Sequence, residues 1–229
     1  MHGAKKTVSL LLFLVFTFAG CQRELHFPPV PGTGQVVPPA QGDTIVSNLS
    51  TYLPLTKNTF WKYKDSTTGK TIQLTITGGQ KTMLGKSYKV VTGSLYASPA
   101  FYTVGGNDYY IYHELAGVEK EFLFLNDVAL AGDSWTVDMG LINGKPSTGI
   151  GTIVQREKTI KVEGKIYKHV IHSTFRIYYQ LSGSTYTSGG YDYYTAKGVG
   201  IVKMESSFGI AGVQTLFSDL KTLVDFSIR

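Results

Sequence analysis

The feature that most constrains this chain is an alternation of apolar and polar residues with a period of two. From residue 60 onward, Ile72, Leu74 and Ile76 alternate with polar side chains, and so do Trp135 and Val137. This pattern is typical of strands with one buried face, and glycine-containing turns separate the alternating stretches. The sequence therefore predicts an all-β antiparallel domain of roughly twelve to fourteen strands, either a sandwich or a barrel-like curved sheet.

The chain divides into three predicted parts. Residues 1–20 are predicted to be a signal peptide, and residues 21–42 a proline- and glycine-rich linker that favours extended polyproline conformation. Residues 43–229 are predicted to form a single domain, long enough to bury a sizeable core. The only plausible helix is a short one within residues 43–53.

Three motifs occur twice in the same order. They are a tryptophan that follows a turn (Trp61 and Trp135), Gly-Lys-x-Tyr-Lys (85–89 and 164–168) and Tyr-Thr-x-x-Gly (102–106 and 194–198). Each match alone is what strands rich in tyrosine, threonine and glycine produce by chance. The common order predicts an internal duplication, about 52–125 and 128–207, followed by a C-terminal strand hairpin. The two halves would then be related meanders, with the two tryptophans at equivalent core positions.

The N-terminus carries a short basic segment, an apolar run over 8–19 and Cys21, the single cysteine of the chain. The apolar run is too short for a spanning helix, which needs about 20 residues. The segment Ala19-Gly20-Cys21 resembles the lipobox of bacterial lipoproteins, although Phe18 stands where leucine is usual. The resemblance implies that Cys21 is acylated, carries palmitate and becomes the mature N-terminus. The alternative is an ordinary secretory peptide with an incidental thiol.

A second resemblance covers most of the mature chain. Tyr-Leu-Pro-Leu at 52–55, Asn58, Trp-Lys-Tyr at 61–63 and Gly-Asp-Ser-Trp at 132–135 look like segments of secreted lipoproteins of Bacteroidota without assigned activity. These are turn and core motifs, so the resemblance carries over no functional residues. It implies a β domain anchored to the outer membrane, and it leaves open whether the domain faces the periplasm or the cell surface.

Charge and motifs narrow the possible activities. The formal net charge is +6, two charges of which, Lys5 and Lys6, lie in the signal peptide, and no basic run marks a nucleic-acid surface. No phosphate-binding loop, nucleophile elbow or zinc-protease motif is present. His169 and His172 fall on opposite faces of a predicted strand, where they cannot share one metal ion. We therefore expect no metal and no cofactor.

Clustered tyrosines are the remaining candidates for a binding site. Because adjacent residues of a strand point to opposite faces, each cluster should place a ring on each face. The exposed rings either form a platform for a glycan or an amphiphile, or they belong to cross-strand ladders that stabilise the sheet. The candidates are Tyr109, Tyr110, Tyr112, Tyr191, Tyr193 and Tyr194.

The function favoured by the sequence is non-enzymatic. We expect a membrane-anchored envelope lipoprotein that binds a glycan, a lipid or an envelope protein. The alternatives are a structural or assembly role at the outer membrane and, less favoured, a glycan hydrolase, which would need two carboxylates facing one another across roughly 5–10 Å.

Overall fold

A computed structural model describes residues 43–45, 47–93, 100–115, 118–142, 144–209 and 215–229. The described residues all belong to one compact unit, Gln41–Arg229. The predicted signal peptide, Cys21 and the linker up to residue 42 lie outside the described residues, so their assignment stays a prediction.

Thirteen β-strands make up the regular structure of the described residues. The first seven are β1 (Thr44–Ile45), β2 (Phe60–Asp65), β3 (Thr71–Met83), β4 (Lys86–Thr92), β5 (Phe101–Gly105), β6 (Asp108–Leu115) and β7 (Val118–Asn126). The remaining six are β8 (Ser134–Ile142), β9 (Lys145–Val162), β10 (Lys165–Leu181), β11 (Ser184–Ala196), β12 (Gly200–Gly209) and β13 (Thr215–Ser227). The predicted all-β fold is confirmed, and the described residues of 43–53, the only plausible position for a helix, form none.

All the strands belong to a single sheet in the order β7-β6-β5-β4-β3-β2-β13-β12-β11-β10-β9-β8, with β1 added in parallel to β10. Two antiparallel meanders, β2–β7 and β8–β13, are joined by the pairing of β2 with β13. The sheet curls into a nearly closed barrel. Of the two architectures left open by the sequence, the structure adopts the barrel-like curved sheet.

The strand order assigns every connection to one of two ends. Because neighbours in each meander run antiparallel, the connections β3–β4, β5–β6, β7–β8, β9–β10 and β11–β12 share one end, which we call the proximal end. The connections β2–β3, β8–β9 and β10–β11 lie at the opposite, distal end. Strand β1 pairs with the start of β10, so the described chain also begins at the proximal end.

The repeated motifs fall on corresponding elements of the two meanders. Trp61 and Trp135 are the second residues of the first strands, β2 and β8. Gly-Lys-x-Tyr-Lys spans the connection between the second and third strands of each meander, and Tyr-Thr-x-x-Gly ends the fourth. A common origin of the two meanders stays a prediction.

The barrel interior is the hydrophobic core, and Trp61 is among its largest members. Only 1% of this residue is exposed, and its indole Nε1 donates a hydrogen bond to the carbonyl of Val199 at 2.5 Å. Gly200, with φ of 114°, lets the backbone pass under the ring, since a Cβ there would lie 2.9 Å from Nε1. Trp135 is also packed against the core, but it is only half-buried.

Side chains close the seam between the two outer strands, β7 and β8. The Trp135 indole donates to the carbonyl of Leu123 at 2.8 Å. From β10, the Ser173 hydroxyl donates to the carbonyl of Phe124 at 2.7 Å. Arg156 of β9 donates to backbone carbonyls of the β7–β8 connection. The outermost strands are therefore linked by side-chain bonds, which protect edges that would otherwise offer unpaired backbone groups.

The segment before β2 covers the proximal end of the barrel. Tyr52 and Leu53 are buried, and the amide of Tyr52 donates to the hydroxyl of Tyr109 at 3.2 Å. The amide of Gly198, in the β11–β12 turn, donates to the carbonyl of Thr51 at 2.7 Å. Burial, reinforced by the nearby charge of Glu157, raises the pKa of Tyr52 to about 12.

We expect Trp61→Ala to lower the free energy of unfolding by roughly 3–5 kcal/mol, because it removes a fully buried ring and leaves a cavity. Trp135→Ala should cost less, since that ring is half-buried. Denaturant titrations of both variants measure the difference. Equal losses, or a Trp61→Ala midpoint like that of wild type, would contradict the different burial of the two rings.

Alkaline pH tests the packing of Tyr52. The unfolded tyrosine ionises near pH 10, so the stability that the buried neutral phenol contributes is present below pH 10 and is lost between pH 10 and 12. We therefore expect Tyr52→Phe to lose less stability than wild type when the pH is raised from 8 to 11. Unfolding midpoints at the two pH values measure this, and parallel losses in both proteins would be the contrary result.

Candidate functional site

A cavity of about 260 Å³ opens in the barrel at the distal end. Four of the strands β8–β12 contribute buried or half-buried side chains to it, and the fifth contributes a glycine at its end. The lining residues are Ile142, Lys145, Ser147, Ile177, Tyr179, Ser188 and Gly209. Barrel mouths are common positions for ligand sites.

Small residues on the inner face of β9 make room in this part of the barrel. Ser147, Gly149 and Gly151 occupy successive inward positions, where larger side chains would be usual. The Phe175 ring occupies the space that a Cβ on Gly149 would need, and the Trp135 ring does the same over Gly151. Two large rings therefore pack directly against the strand, and the cavity begins beyond them towards the distal end.

Lys145 brings a positive charge to a site that is lined by both apolar and polar side chains. Its Nζ lies 4.6 Å from the centroid of the Tyr179 ring, a cation–π contact. Tyr186 stacks on the same ring at 5.6 Å. Within the described part of the chain, no carboxylate lies within ion-pair distance of Lys145. Its ammonium group is thus held near buried Ile177 and Tyr179, and no described carboxylate neutralises it.

A second cavity, of about 300 Å³, lies near the proximal end of the seam. Its polar groups are already engaged: Asn126 accepts hydrogen bonds from the amides of Val128 and Ala129, and Asp133 accepts one from the amide of Leu130. The Trp135 indole already donates its hydrogen bond to the carbonyl of Leu123 across the seam. These side chains already shape the β7–β8 connection, whereas the distal cavity offers an ammonium group with no ion-pair partner among the described residues, so the distal cavity is the better candidate.

Three of the six candidate tyrosines lie inside the barrel. Tyr109, Tyr191 and Tyr193 are buried. Phe124 contacts both Tyr109 (6.4 Å between centroids) and Tyr193 (5.2 Å), and Tyr191 stacks on Tyr193 at 5.6 Å. The structure thus brings these three together, but as part of the core rather than as an exposed platform. Burial raises the pKa of Tyr191 well above its usual value.

The other three candidates, Tyr110, Tyr112 and Tyr194, are half-buried on the outer face. Tyr110 and Tyr112 lie on β6 and Tyr194 on β11, with six strands of the sheet between them. Lys86 Nζ lies 3.6 Å from the centroid of the Tyr110 ring, and the Tyr112 hydroxyl donates to Glu119 at 3.0 Å. These contacts are those of cross-strand ladders, and ligand binding by the six tyrosines stays a prediction.

Tyr194 belongs to a charged cluster on the outer face of β10 and β11. His172 stacks on its ring at 4.2 Å and contacts the carboxylate of Asp192 at 2.9 Å. Burial alone would raise the pKa of Asp192, but the bonds from His172 and Arg176 hold it below its usual value. His169, in contrast, is exposed beside Glu157 at 2.5 Å. Among the described residues, no group of three potential ligands could hold a metal ion.

The residues of the distal cavity were mostly missed by sequence reasoning. Tyr179 was noticeable as one of two adjacent tyrosines, and the small inward residues of β9 were the signal for an unfilled interior. Lys145 was one scattered lysine among many. Its place beside Tyr179 depends on the antiparallel pairing of β9 with β10.

No protein-family model and no curated protein matches the sequence. Solved structures similar to the chain include a candidate lipoprotein from Parabacteroides distasonis ATCC 8503, with 11% identity and a TM-score of 0.46 over 79% of this chain and 100% of that one. Another is a candidate exported protein with a YmcC-like fold from Bacteroides fragilis NCTC 9343, with 10% identity and a TM-score of 0.45 over 78% and 99% of the two chains. Neither likeness assigns an activity to this chain.

Proposed function

We propose that this chain is a lipid-anchored protein of the cell envelope whose barrel binds an amphiphile with an anionic group in the distal cavity. The observation that carries the proposal is the ammonium group of Lys145, which has no ion-pair partner among the described residues, at a cavity with both apolar and polar lining. Ligand binding without catalysis is the role that this arrangement supports best.

The charge of Lys145 favours an anionic partner. Partial burial lowers the local dielectric constant, so an incoming carboxylate, sulfonate or phosphate would interact with the ammonium more strongly than in water. Charge-assisted hydrogen bonds of this kind contribute about 1.5–3 kcal/mol. The hydroxyl groups of Ser147 and Ser188 stand beside the same space and could complete the polar contacts.

The rest of the lining favours an apolar ligand body. Ile142, Ile177 and the ring of Tyr179 are buried in the wall and present hydrocarbon to the cavity. Sites for drug-sized ligands usually measure about 300–1,000 Å³. A cavity of about 260 Å³ therefore suits a small amphiphile or one end of a larger one.

A non-enzymatic role is supported by the kinds of side chain at the cavity. The described lining holds one lysine, one tyrosine and two serines, with no histidine or carboxylate beside them. General acid–base chemistry needs a group that is poised to exchange protons near neutral pH, and this set offers binding groups instead.

The anchor rests on the lipobox resemblance at Cys21. Acyl chains are stabilised in a bilayer by about 0.8 kcal/mol for each buried methylene, so two or three chains would hold the protein on a membrane. No helix in the described ranges is long and apolar enough to cross a bilayer. We place the anchor in the outer membrane on the Bacteroidota resemblance.

We expect Cys21→Ser to abolish acylation and to move the protein from the membrane to the soluble fraction. Labelled palmitate and fractionation of cells that express each form measure the two effects. An ordinary secretory peptide would instead give no label in either form. Detergent-dependent membrane association of the variant would refute the anchor.

Two fluorescent probes test the charge of the cavity. Anilinonaphthalene sulfonate carries an anionic group, whereas phenylnaphthylamine has nearly the same apolar body without it. We expect Lys145→Met to weaken binding of the sulfonate about tenfold or more, because a charge-assisted contact is lost. Binding of the neutral probe should change little.

Lys168→Met is the matched control, since Lys168 is an exposed lysine at the other end of the barrel. It should leave both affinities unchanged. If both variants weaken binding of the sulfonate probe equally, the effect comes from general surface charge. If Lys145→Met leaves the affinity for the sulfonate unchanged, the cavity is refuted as the anionic site.

A further inference from the structure

The proximal end of the barrel exposes large aliphatic side chains at its tips. Leu84, in the β3–β4 turn, is 69% exposed, and Leu130, in the β7–β8 connection, is 68% exposed. Val128, in the same connection, is also exposed. Leu49 is exposed in the segment before β2, where its carbonyl lies beside Gly198 of the β11–β12 turn. Three separate connections therefore present hydrocarbon to the surroundings at one end.

Leu84 is an unusual residue for its position. Its φ is 49°, in the left-handed region that glycine and asparagine adopt more readily than a bulky side chain. The turn continues with Gly85, so the chain carries a leucine where a small polar residue would suit an aqueous tip better. An exposed leucine in this backbone conformation is explained neither by packing nor by turn geometry.

Exposed lysines are found at the same end of the barrel. Lys57, Lys161, Lys168 and Lys197 lie near the proximal end, and none forms an ion pair with the described residues. Carboxylates also lie at this end, among them Asp133, Glu157 and Glu163, whose bonding partners are the Leu130 amide, His169 and the Thr222 hydroxyl. They keep their negative charge, but none of them forms an ion pair with the four lysines, which can therefore contact external anions.

The described chain begins at this end. The carbonyl of Asp43 accepts a hydrogen bond from the amide of Ile166, at the start of β10. Cys21 lies 22 residues before Asp43 in the sequence. A tether attached here holds the proximal end at a high local concentration beside the lipid to which it is anchored.

We infer that the proximal end rests on the bilayer, with the aliphatic tips in the headgroup region and the lysines against anionic headgroups. Interfacial segments combine apolar side chains with lysines in this way. In this orientation the distal cavity faces away from the membrane and is open to ligands from the aqueous space. The inference rests on the lipid anchor of the proposed function.

Single-cysteine labelling of the lipidated protein tests the orientation. The native Cys21 is blocked by its lipid, so a thiol-reactive fluorophore labels only an introduced cysteine. The test variants are Leu84→Cys and Leu130→Cys. The matched controls are Leu141→Cys and Leu181→Cys, since these leucines are 59% and 44% exposed beside the distal hairpins.

The labelled proteins are reconstituted into vesicles of phosphatidylethanolamine and phosphatidylglycerol that contain nitroxide-labelled lipid. We expect the nitroxide to quench the fluorophores at 84 and 130 at least twofold more than those at 141 and 181. Replacing the four lysines by glutamine should reduce that difference. Equal quenching at both ends, or stronger quenching at the distal end, would overturn the inference.

Flotation of the same vesicles separates this inference from the anchor. Protein that floats with the vesicles and shows no difference between the ends keeps the anchor and refutes the orientation. If the protein reconstituted with the vesicles fails to float, the lipid anchor is refuted, and the proposed orientation is refuted with it. Vesicles of phosphatidylcholine alone should retain flotation and show a smaller difference between the ends, because they lack the anionic headgroups.

Discussion

The pairing of β2 with β13 is the contact on which the whole sheet depends, because it joins two meanders that are otherwise separate. Its register is specified by charge inside the barrel. Lys221 is buried and bonds to Asp219, and its Nζ lies 3.2 Å from Asp65, the residue opposite it on β2. A slip of one residue would turn Lys221 and Asp219 together to the other face and leave Asp65 without its cation. The shifted register would therefore be less stable than the observed one.

Closure of the barrel follows from that junction and solves the problem of its outer strands. β7 and β8 are the last strands of the two meanders, and a sheet of this size would otherwise expose both of their edges. Trp135, Ser173 and Arg156 donate hydrogen bonds across the seam to carbonyl groups of β7 and the connection after it. Side chains thus replace the missing backbone ladder, and the ring of Trp135 also packs against Gly151 of β9.

The two ends of the closed sheet differ in structure, and each end is proposed to have a different role. The segment before β2 packs Tyr52 and Leu53 into the proximal end. At the distal end, small inward residues of β9 leave a cavity beside Lys145. The covered end receives the anchored chain, and the cavity lies at the opposite end. Both features are compatible with an orientation in which the proximal end rests on the membrane.

The amino-acid sequence by itself determined the strands and their faces, because alternation with a period of two is a local property. It also placed one ring of each tyrosine pair on each side of the sheet: Tyr109 and Tyr193 are buried, and their neighbours Tyr110 and Tyr194 face outward. The plausible helix within residues 43–53 does not form in the described residues, because these are held by contacts with β6 and the β11–β12 turn, which no local pattern reveals.

Only the tertiary structure decided what those faces enclose. Curvature and closure depend on the pairing of β2 with β13, whose partners are more than 150 residues apart in the sequence. The distal cavity depends on side chains from neighbouring strands, so Lys145 meets Tyr179 only after β9 and β10 have paired. Local alternation specifies which residues point inward, whereas the long-range register specifies which of them meet and where space remains.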